Sequence, residues 1–474
     1  MSEKTTQVAV LGGGPAGYAA AFKCADLGLE TTLIDLAPNP GGVCLYRGCI
    51  PSKALLHVSK LINEAAEAGN WGISFNKPEI DLDKLRAWKN SVIEQLTGGL
   101  GMLRKSRGID HVQGRGRLKD ANTIEVALAD GGAASITAEH IILAVGSHPT
   151  PIPDISIDSE HVLDSTSGLE LPVIPGSLLV IGGGYIGLEL GSVYASLGSE
   201  VSVVEMTDGL LPGADRDLVK VLQGRLGKAF KNIMFNTRVT KVEEAASGLE
   251  VHFDGETDEK TQKYDYILVA VGRRPNSQDL GLENAGIAVS DRGFVTVDAQ
   301  RRTNVPNIFA VGDIAGEPML AHKGSHEGIV AAEVIAGERV AFEAEAIPAV
   351  VFTDPELAWC GLTETQAEAA GRKVNITKFP WAASGRAISI DRPDGLTKIL
   401  FDPETERVLG VGICGAGAGE MIAEGVLAVE MAALATDLKL SIHPHPTLSE
   451  TVMEAAEMLG GSSTHIYRPK KKQH

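Results

Sequence analysis

The sequence predicts an α/β protein with two Rossmann-like dinucleotide-binding domains, followed by an α+β domain of different design. Three observations carry this. Residues 8–35 (VAVLGGGPAGYAAAFKCADLGLETTLID) return at an offset of 170 as residues 178–205 (LLVIGGGYIGLELGSVYASLGSEVSVVE). A shorter repeat closes each copy, residues 141–149 resembling residues 267–275. From residue 346 strands and amphipathic helices continue, but no nucleotide fingerprint accompanies them.

Each long repeat reads as an apolar strand, a glycine turn, an amphipathic helix and a second strand ending in a carboxylate. That is the full dinucleotide-binding unit. Gly12, Gly14 and Gly17 map onto Gly182, Gly184 and Gly187, and Asp35 maps onto Glu205. The first glycine permits the tight turn, the second lets a pyrophosphate approach the backbone, and the third lets helix pack on strand. Amides at the helix N-terminus then hold the phosphate charge. One fingerprint alone is weak; two at matched spacing imply two dinucleotides. The short repeats are strands ending in Gly146 and Gly272, and boundaries fall in the proline-bearing stretches near 150 and 275. The domains expected are 1–150, 151–275, 276–345 and 346–474. The third carries a strand-to-loop at 307–313; the fourth carries strands at 349–352 and 397–401 and helices at 420–435 and 449–458.

Two of the five cysteines, Cys44 and Cys49, sit in GGVCLYRGCIPSK just after the first unit. On a regular helix, residues i and i+5 are about 7.5 Å apart along the axis alone, more than a disulfide tolerates. Pairing them requires distorted backbone, which Gly48 permits, and Pro51 biases Ile50 away from helical angles. A redox couple and a pair of reduced packing thiols both fit, with the setting beside a nucleotide site favouring the couple. Cys24, Cys360 and Cys414 have no partner at useful spacing and read as packing residues.

Composition narrows the function classes. With 44% hydrophobic and 22% charged residues the chain is an ordinary globular protein, and 474 residues exceed a single core. A net charge of −18 argues against nucleic acid, since no basic stripe exists to release counterions. The one basic cluster, residues 468–472, reads as a solvated tail. No membrane span or signal peptide is evident, and five cysteines make no secreted disulfide framework, so a cytoplasmic setting is expected. Near the C-terminus, His445 stands between Pro444 and Pro446 and fits a structural loop as well as a general base. Thr447-Leu448-Ser449-Glu450 fits a capping box, with Glu450 reaching back to the Thr447 backbone, as well as it fits catalysis.

Two dinucleotide units flanking the cysteine loop, with HPHPTLSE near the C-terminus, resemble the pyridine nucleotide–disulfide oxidoreductases over essentially the whole chain. Within that family the resemblance is to the branch that oxidises dihydrolipoamide. It implies FAD on the first unit, over Gly12, Gly14 and Gly17, with Asp35 on the adenosine ribose. The family usually has Glu there, so the shorter carboxylate shifts or weakens that contact. It implies Lys53 near the flavin ring, Gly116 and Gly146 lining the cofactor, Asp313 accepting hydrogen bonds from it, and backbone near Ala321 beside it. The 276–345 domain would complete this site.

On the second unit the resemblance implies NAD, with Ile186 near the nicotinamide, Glu189 pairing with Lys53, and Val239 and Gly272 around the cofactor. Glu205 can bind a ribose 2′-hydroxyl and would repel a 2′-phosphate, and no arginine follows in Met206-Thr207-Asp208, which favours NAD over NADP. The resemblance further implies Cys44 exchanging with substrate, Cys49 against the flavin, and His445 as base oriented by Glu450, with His443 unassigned. The last domain would be a dimerisation domain, making a homodimer in which His445 acts on the other subunit's disulfide. Partners would be lipoyl-bearing acyltransferase subunits of 2-oxo acid dehydrogenase complexes or the lipoyl carrier of glycine cleavage. A reductase of another small disulfide, such as glutathione, is the alternative. Where the family commonly has Asn-Val this chain has Tyr46-Arg47. Arg47 aimed at the cysteines would stabilise a thiolate; aimed outward, it is a rim residue.

Overall fold

The first strand, β1 (Ser2–Leu11), starts well before the apolar run that announces it. Backbone pairing with β5 (Ala133–Leu143) runs in parallel from Ser2↔Ala134 to Leu11↔Leu143 and needs no apolar side chains from the polar leader. The computed structural model describes residues 2–152, 155 and 159–467; the basic run at 468–472 lies outside them. After β1 come α1 (Pro15–Asp26), β2 (Thr31–Asp35), α2 (Gly42–Arg47), α3 (Cys49–Glu67) and α4 (Leu82–Ser106). Then β3 (Asp110–Leu118) lies parallel to β2, and β4 (Thr123–Leu128) runs antiparallel between β3 and β5. Apolar side chains cover both sheet faces, as a parallel sheet under helices requires.

The second region opens with β6 (Ser147–Pro149), β7 (Val162–Leu163) and α5 (Ser165–Leu169). The repeated unit follows as β8 (Ser177–Ile181), α6 (Tyr185–Leu197) and β9 (Glu200–Val204). It is completed by α7 (Arg216–Ala229), β10 (Asn232–Met234), an antiparallel meander β11 (Thr237–Glu244), β12 (Leu249–Gly255), β13 (Thr261–Tyr264), then β14 (Tyr266–Val269) and β15 (Arg273–Pro275). The main sheet has the order β10-β9-β8-β14-β7. The tails of the two short repeats pair with each other: β6 and β15 are antiparallel, with Ser147↔Pro275 and Pro149↔Arg273.

Strand β16 (Ile308–Ala310) returns to the first sheet alongside β5, and α8 (Ala321–Ile335) packs on α1. The last region is a five-stranded antiparallel sheet, β17 (Ala349–Val351), β18 (Glu356–Gly361), β19 (Asn375–Pro380), β20 (Leu396–Phe401) and β21 (Val408–Gly415), in the order β17-β18-β21-β20-β19. Helices α9 (Glu364–Ala369) and α10 (Gly385–Ser389) interrupt the strands; α11 (Ala418–Glu430), α12 (Ala435–Leu440) and α13 (Glu450–Glu457) follow them. The one helix expected over 420–435 is two, because Ala432 turns left-handed (φ 53°) between them. The core centres on Trp381, fully buried, whose ring occupies the space a Cβ on Gly395 or Gly415 would need. Fully buried Lys398 on β20 binds Asp215 (2.9 Å) and Asp217 (3.1 Å), tying the second region to the last. Among the described residues no helix is long and apolar enough to cross a membrane.

Candidate functional site

The two glycine fingerprints make the same backbone turn. Gly12 and Gly182 share φ +107°, and a Cβ on either would fall 2.3 Å and 2.5 Å from the carbonyl oxygens of Ala144 and Ala270. Those alanines are equivalents in the short repeat, so the second repeat exists to receive the first. A Cβ on Gly17 would meet the Gly12 oxygen at 1.8 Å, and one on Gly187 the Gly182 oxygen at 2.4 Å. Helix and strand approach this closely only with glycine at the contact. Gly14 and Gly184 are the N-caps of α1 and α6 and carry no side-chain cap, leaving first-turn amides for an anion.

The terminal carboxylates also correspond. Asp35 accepts from Gly13 N–H (2.6 Å) and Ala37 N–H (2.8 Å); Glu205 accepts from Gly183 N–H (2.7 Å) and Thr207 N–H (2.9 Å). The shorter Asp35 therefore loses none of these bonds to the loop. Arg216, on the segment after Glu205, spends its guanidinium on the carbonyls of Leu210 and Leu211 (both 2.7 Å), so it offers nothing to a 2′-phosphate.

The first fingerprint floors a deep cleft. It is walled by the cysteine loop, by Lys53, Gly146 and Ser147, by Tyr185 and Ile186 from the second unit, and by Asp313 and Ala321. Asp313 accepts from Ser147 Oγ (2.5 Å), while Arg273 binds Ser147 Oγ (2.8 Å) and its carbonyl (2.7 Å). Ser147 and Arg273 are functional neighbours that sequence reasoning missed. Their signal was position, each following the glycine of a short repeat. Behind Asp313, fully buried Glu327 accepts from Gly312 N–H (2.7 Å) and pairs with Arg301 (2.9 Å) and Lys323 (3.0 Å). Free amides, a glycine-lined floor and a carboxylate at the far end fit FAD.

Not every expected cofactor residue lines this cleft. Gly116 does not line the cleft; it faces Leu11 and Ile124 in the core, where a Cβ would come within 2.5 Å of Leu11. Val239 is half-buried in β11 opposite Phe253, and Gly272 is exposed, its carbonyl accepting from Thr150 N–H (3.0 Å). Both lie on the second unit, outside the cleft.

In the cysteine loop the backbone break falls at Gly48, between α2 and α3 (φ −145°, ψ −113°), where a Cβ would be 2.8 Å from the Val43 oxygen. Ile50 is helical, contrary to expectation: Pro51 occupies the first turn of α3, where its missing N–H costs nothing. Cys44 and Cys49 are free thiols close enough to hydrogen-bond each other. The hydrogen bond from Cys44 lowers Cys49 to about 7 against the effect of burial, with help from Lys53; the same bond and burial push Cys44 up. Cys49 is thus the thiolate of the pair. Lys53 Nζ binds Glu189 (2.9 Å) and lies over the Phe352 ring (4.5 Å), while Glu189 also accepts from Phe352 N–H (3.0 Å). One buried carboxylate thus joins α3, α6 and the last region. Arg47 is exposed at the cleft rim, and Tyr46 donates to the Asn39 carbonyl (3.1 Å). The rim reading of Arg47 holds.

His445 and Glu450 lie elsewhere, on a small pocket of the last region rather than in the cysteine cleft. Glu450 is bonded through both oxygens: one faces His445 Nδ1 (2.9 Å) and the other accepts from Thr447 N–H (2.7 Å). Burial pushes Glu450 up, but the Thr447 amide and His445 outweigh it and hold the carboxyl below its usual range. Thr447 is not the cap of α13, since its hydroxyl turns to the Pro444 carbonyl (2.7 Å). His443 is occupied separately, by Glu424 (2.8 Å).

Comparison with known proteins agrees with this geometry. Residues 6–328 match the pyridine nucleotide-disulphide oxidoreductase family, and residues 347–456 match the dimerisation domain of pyridine nucleotide-disulphide oxidoreductases. The chain is 51% identical over 472 residues to a dihydrolipoyl dehydrogenase of Vibrio cholerae, covering 99% of both chains. It is 45% identical over 464 residues to one of Bacillus subtilis, covering 98% of both. Among solved structures it resembles LpdA of Mycobacterium tuberculosis (TM-score 0.89, 29% identity, covering 96% of this chain and 99% of that one). It also resembles the HOCl-induced flavoprotein disulfide reductase RclA of Escherichia coli (TM-score 0.85, 28% identity, 96% and 100%). Two matched cradles, a poised thiol pair between them and these likenesses over the full length lead to one conclusion: the chain belongs to the pyridine nucleotide-disulphide oxidoreductase family.

Proposed function

We propose that this protein is a dihydrolipoyl dehydrogenase, oxidising protein-bound dihydrolipoamide to lipoamide and reducing NAD to NADH through the Cys44–Cys49 couple. The observation that carries this is the lowered Cys49 thiol beside Lys53 in a cleft floored by the first fingerprint. Family likeness over the full length supports the substrate, and Glu205 supports NAD.

In the reaction, His445 takes the proton of one dihydrolipoyl thiol. The thiolate attacks Cys44 Sγ of the disulfide, an S–S bond forms to substrate, and the Cys44–Cys49 bond breaks. Cys49 leaves as thiolate, which its lowered pKa and Lys53 favour. The second substrate thiol then attacks its own sulfur in the mixed disulfide, closing lipoamide and releasing Cys44 with a proton. FAD bound in the cleft supplies the two-electron relay that links the resulting dithiol to NAD. Gly12, Gly14, Gly17, Asp35, Gly146, Asp313 and Ala321 would hold it; Gly182, Gly184, Gly187, Glu205 and Gly272 would hold NAD.

Because His445 and the cysteines occupy separate places in one chain, the working unit is a homodimer in which His445 serves the disulfide of the other copy. Exposed Leu427, Met431, Leu440 and Ile442 in the last region supply apolar surface for that contact. Its partners are lipoyl-bearing subunits of 2-oxo acid dehydrogenase complexes, and its setting the cytoplasm. Cys44→Ser tests the reading: dihydrolipoamide oxidation should drop to background while NADH still reduces an artificial electron acceptor through the flavin. Retained dihydrolipoamide oxidation would overturn it.

A further inference from the structure

The helix that carries Glu450 carries a second histidine–carboxylate pair one turn on. Glu450 and Glu454 are i and i+4 on α13, so they share a face. Glu454 is only 2% exposed, and His465 Nδ1 lies 2.5 Å from its Oε1, with the His465 amide 3.4 Å from Oε2. His445, Glu450, Glu454 and His465 line the same small pocket, together with Phe379 and Ser384. A buried carboxylate persists only when paired, so His465 is the partner that allows Glu454 to be there.

Other ionisable groups on elements packed against α13 are engaged elsewhere or sit on α12. Lys378 of β19 and Lys398 of β20 pair with Asp217, and Asp437 accepts from Leu434 N–H, leaving Lys439 on α12. Glu457 of α13 accepts from Thr464 N–H, and Arg386 on α10 is exposed and does not line the pocket. His445, by contrast, shares its pocket with the Glu454–His465 pair.

Resting on the function proposed above, we propose that Glu454 and His465 are positioning residues for the base: together they present a neutral ion pair to Glu450 and His445, and so set the pH at which His445 can accept a proton. Removing one member exposes His445 to the charge of the other, and the sign follows. His465→Asn leaves an uncompensated carboxylate, which favours protonated His445. The acidic limb of kcat/KM for dihydrolipoamide should move up by about half a pH unit. Glu454→Gln removes the negative member of the pair, so any charge left on His465 is positive and should move the limb down by up to about as much. The Glu454→Gln/His465→Asn double variant should return it to the parental position.

The experiment is the pH profile of all four proteins, with NADH reduction of an artificial acceptor as the control that needs the flavin but neither pair. Opposite shifts that cancel in the double variant support the proposal. Superimposed profiles, shifts in one direction, or an equal loss of rate at every pH overturn it in favour of a packing role. Should one single variant fail to fold, the other decides: a limb displaced in its stated direction supports the charge account, and a parental limb refutes it. If the parent itself does not oxidise dihydrolipoamide, the assigned reaction fails, a result separate from any of these.

Discussion

The two dinucleotide units of this chain have the same backbone and opposite surroundings. Gly12 and Gly182 share a φ of +107°, and Asp35 and Glu205 accept corresponding amides. Yet the first cradle lies inside a cleft walled by the cysteine loop, the second unit and the Gly312–Ala321 stretch. The second opens outward, with Met206, Val271 and Gly272 exposed at its mouth. A motif sets what is bound; cover sets how long it stays. The covered cradle suits a resident cofactor, the open one a cofactor that must leave each turnover.

That contrast can be broken at several points. The largest effect should come from adding one methyl to each cradle. Gly12→Ala and Gly182→Ala both force a Cβ to within about 2.5 Å of a carbonyl oxygen at positive φ, a strain of ~1–3 kcal/mol before any clash. Gly12→Ala should yield protein lacking flavin absorbance, whereas Gly182→Ala should keep its yellow colour and lose NAD turnover by at least about tenfold. Equal flavin loss in both would dissolve the distinction.

Next in size is the base. His445→Gln should slow dihydrolipoamide oxidation by ~10²–10⁴ while leaving NADH reduction of an artificial acceptor intact, since neither cradle includes it. Smaller again is the nucleotide choice at the open cradle. Glu205→Ala removes the carboxylate that repels a 2′-phosphate, and the NAD-to-NADP ratio of kcat/KM should fall by about tenfold. Asp35→Ala should leave that ratio unchanged, because the covered cradle does not meet the nicotinamide cofactor.

The finest test concerns the thiols between the cradles. Cys49 sits at about 7, lowered by the Cys44 hydrogen bond and by Lys53, so its thiolate persists above that pH and is lost as pH falls through it. Lys53→Met should move the titration of thiolate absorbance in the reduced enzyme to higher pH, by about one unit. Arg47→Val should leave that titration where it is, given its place on the rim.

Sequence by itself determined the parts whose geometry is local. A glycine fingerprint, the strand before it and the carboxylate after it form one βαβ unit, so the repeat of residues 8–35 at 178–205 disclosed both cradles and their chemistry. Pairing of Cys44 with Cys49 likewise called for distorted backbone, which Gly48 permits and where the break falls. Tertiary structure decided what depends on distant backbone. Strands β18, β19 and β21 are irregular or glycine-rich and take their strand form from neighbours, so pattern did not announce them. Ile50 became helical because α3 tolerates Pro51 in its first turn. Gly116 turned to the core because the β3–β4 pairing places it opposite Val126 and over Leu11. The pairing of β6 with β15, the Ser147–Asp313–Arg273 contacts and the Glu454–His465 pair join residues 11 to 166 positions apart. Contacts of that kind leave no periodic trace in a chain; only closure of the fold selects which side chains meet.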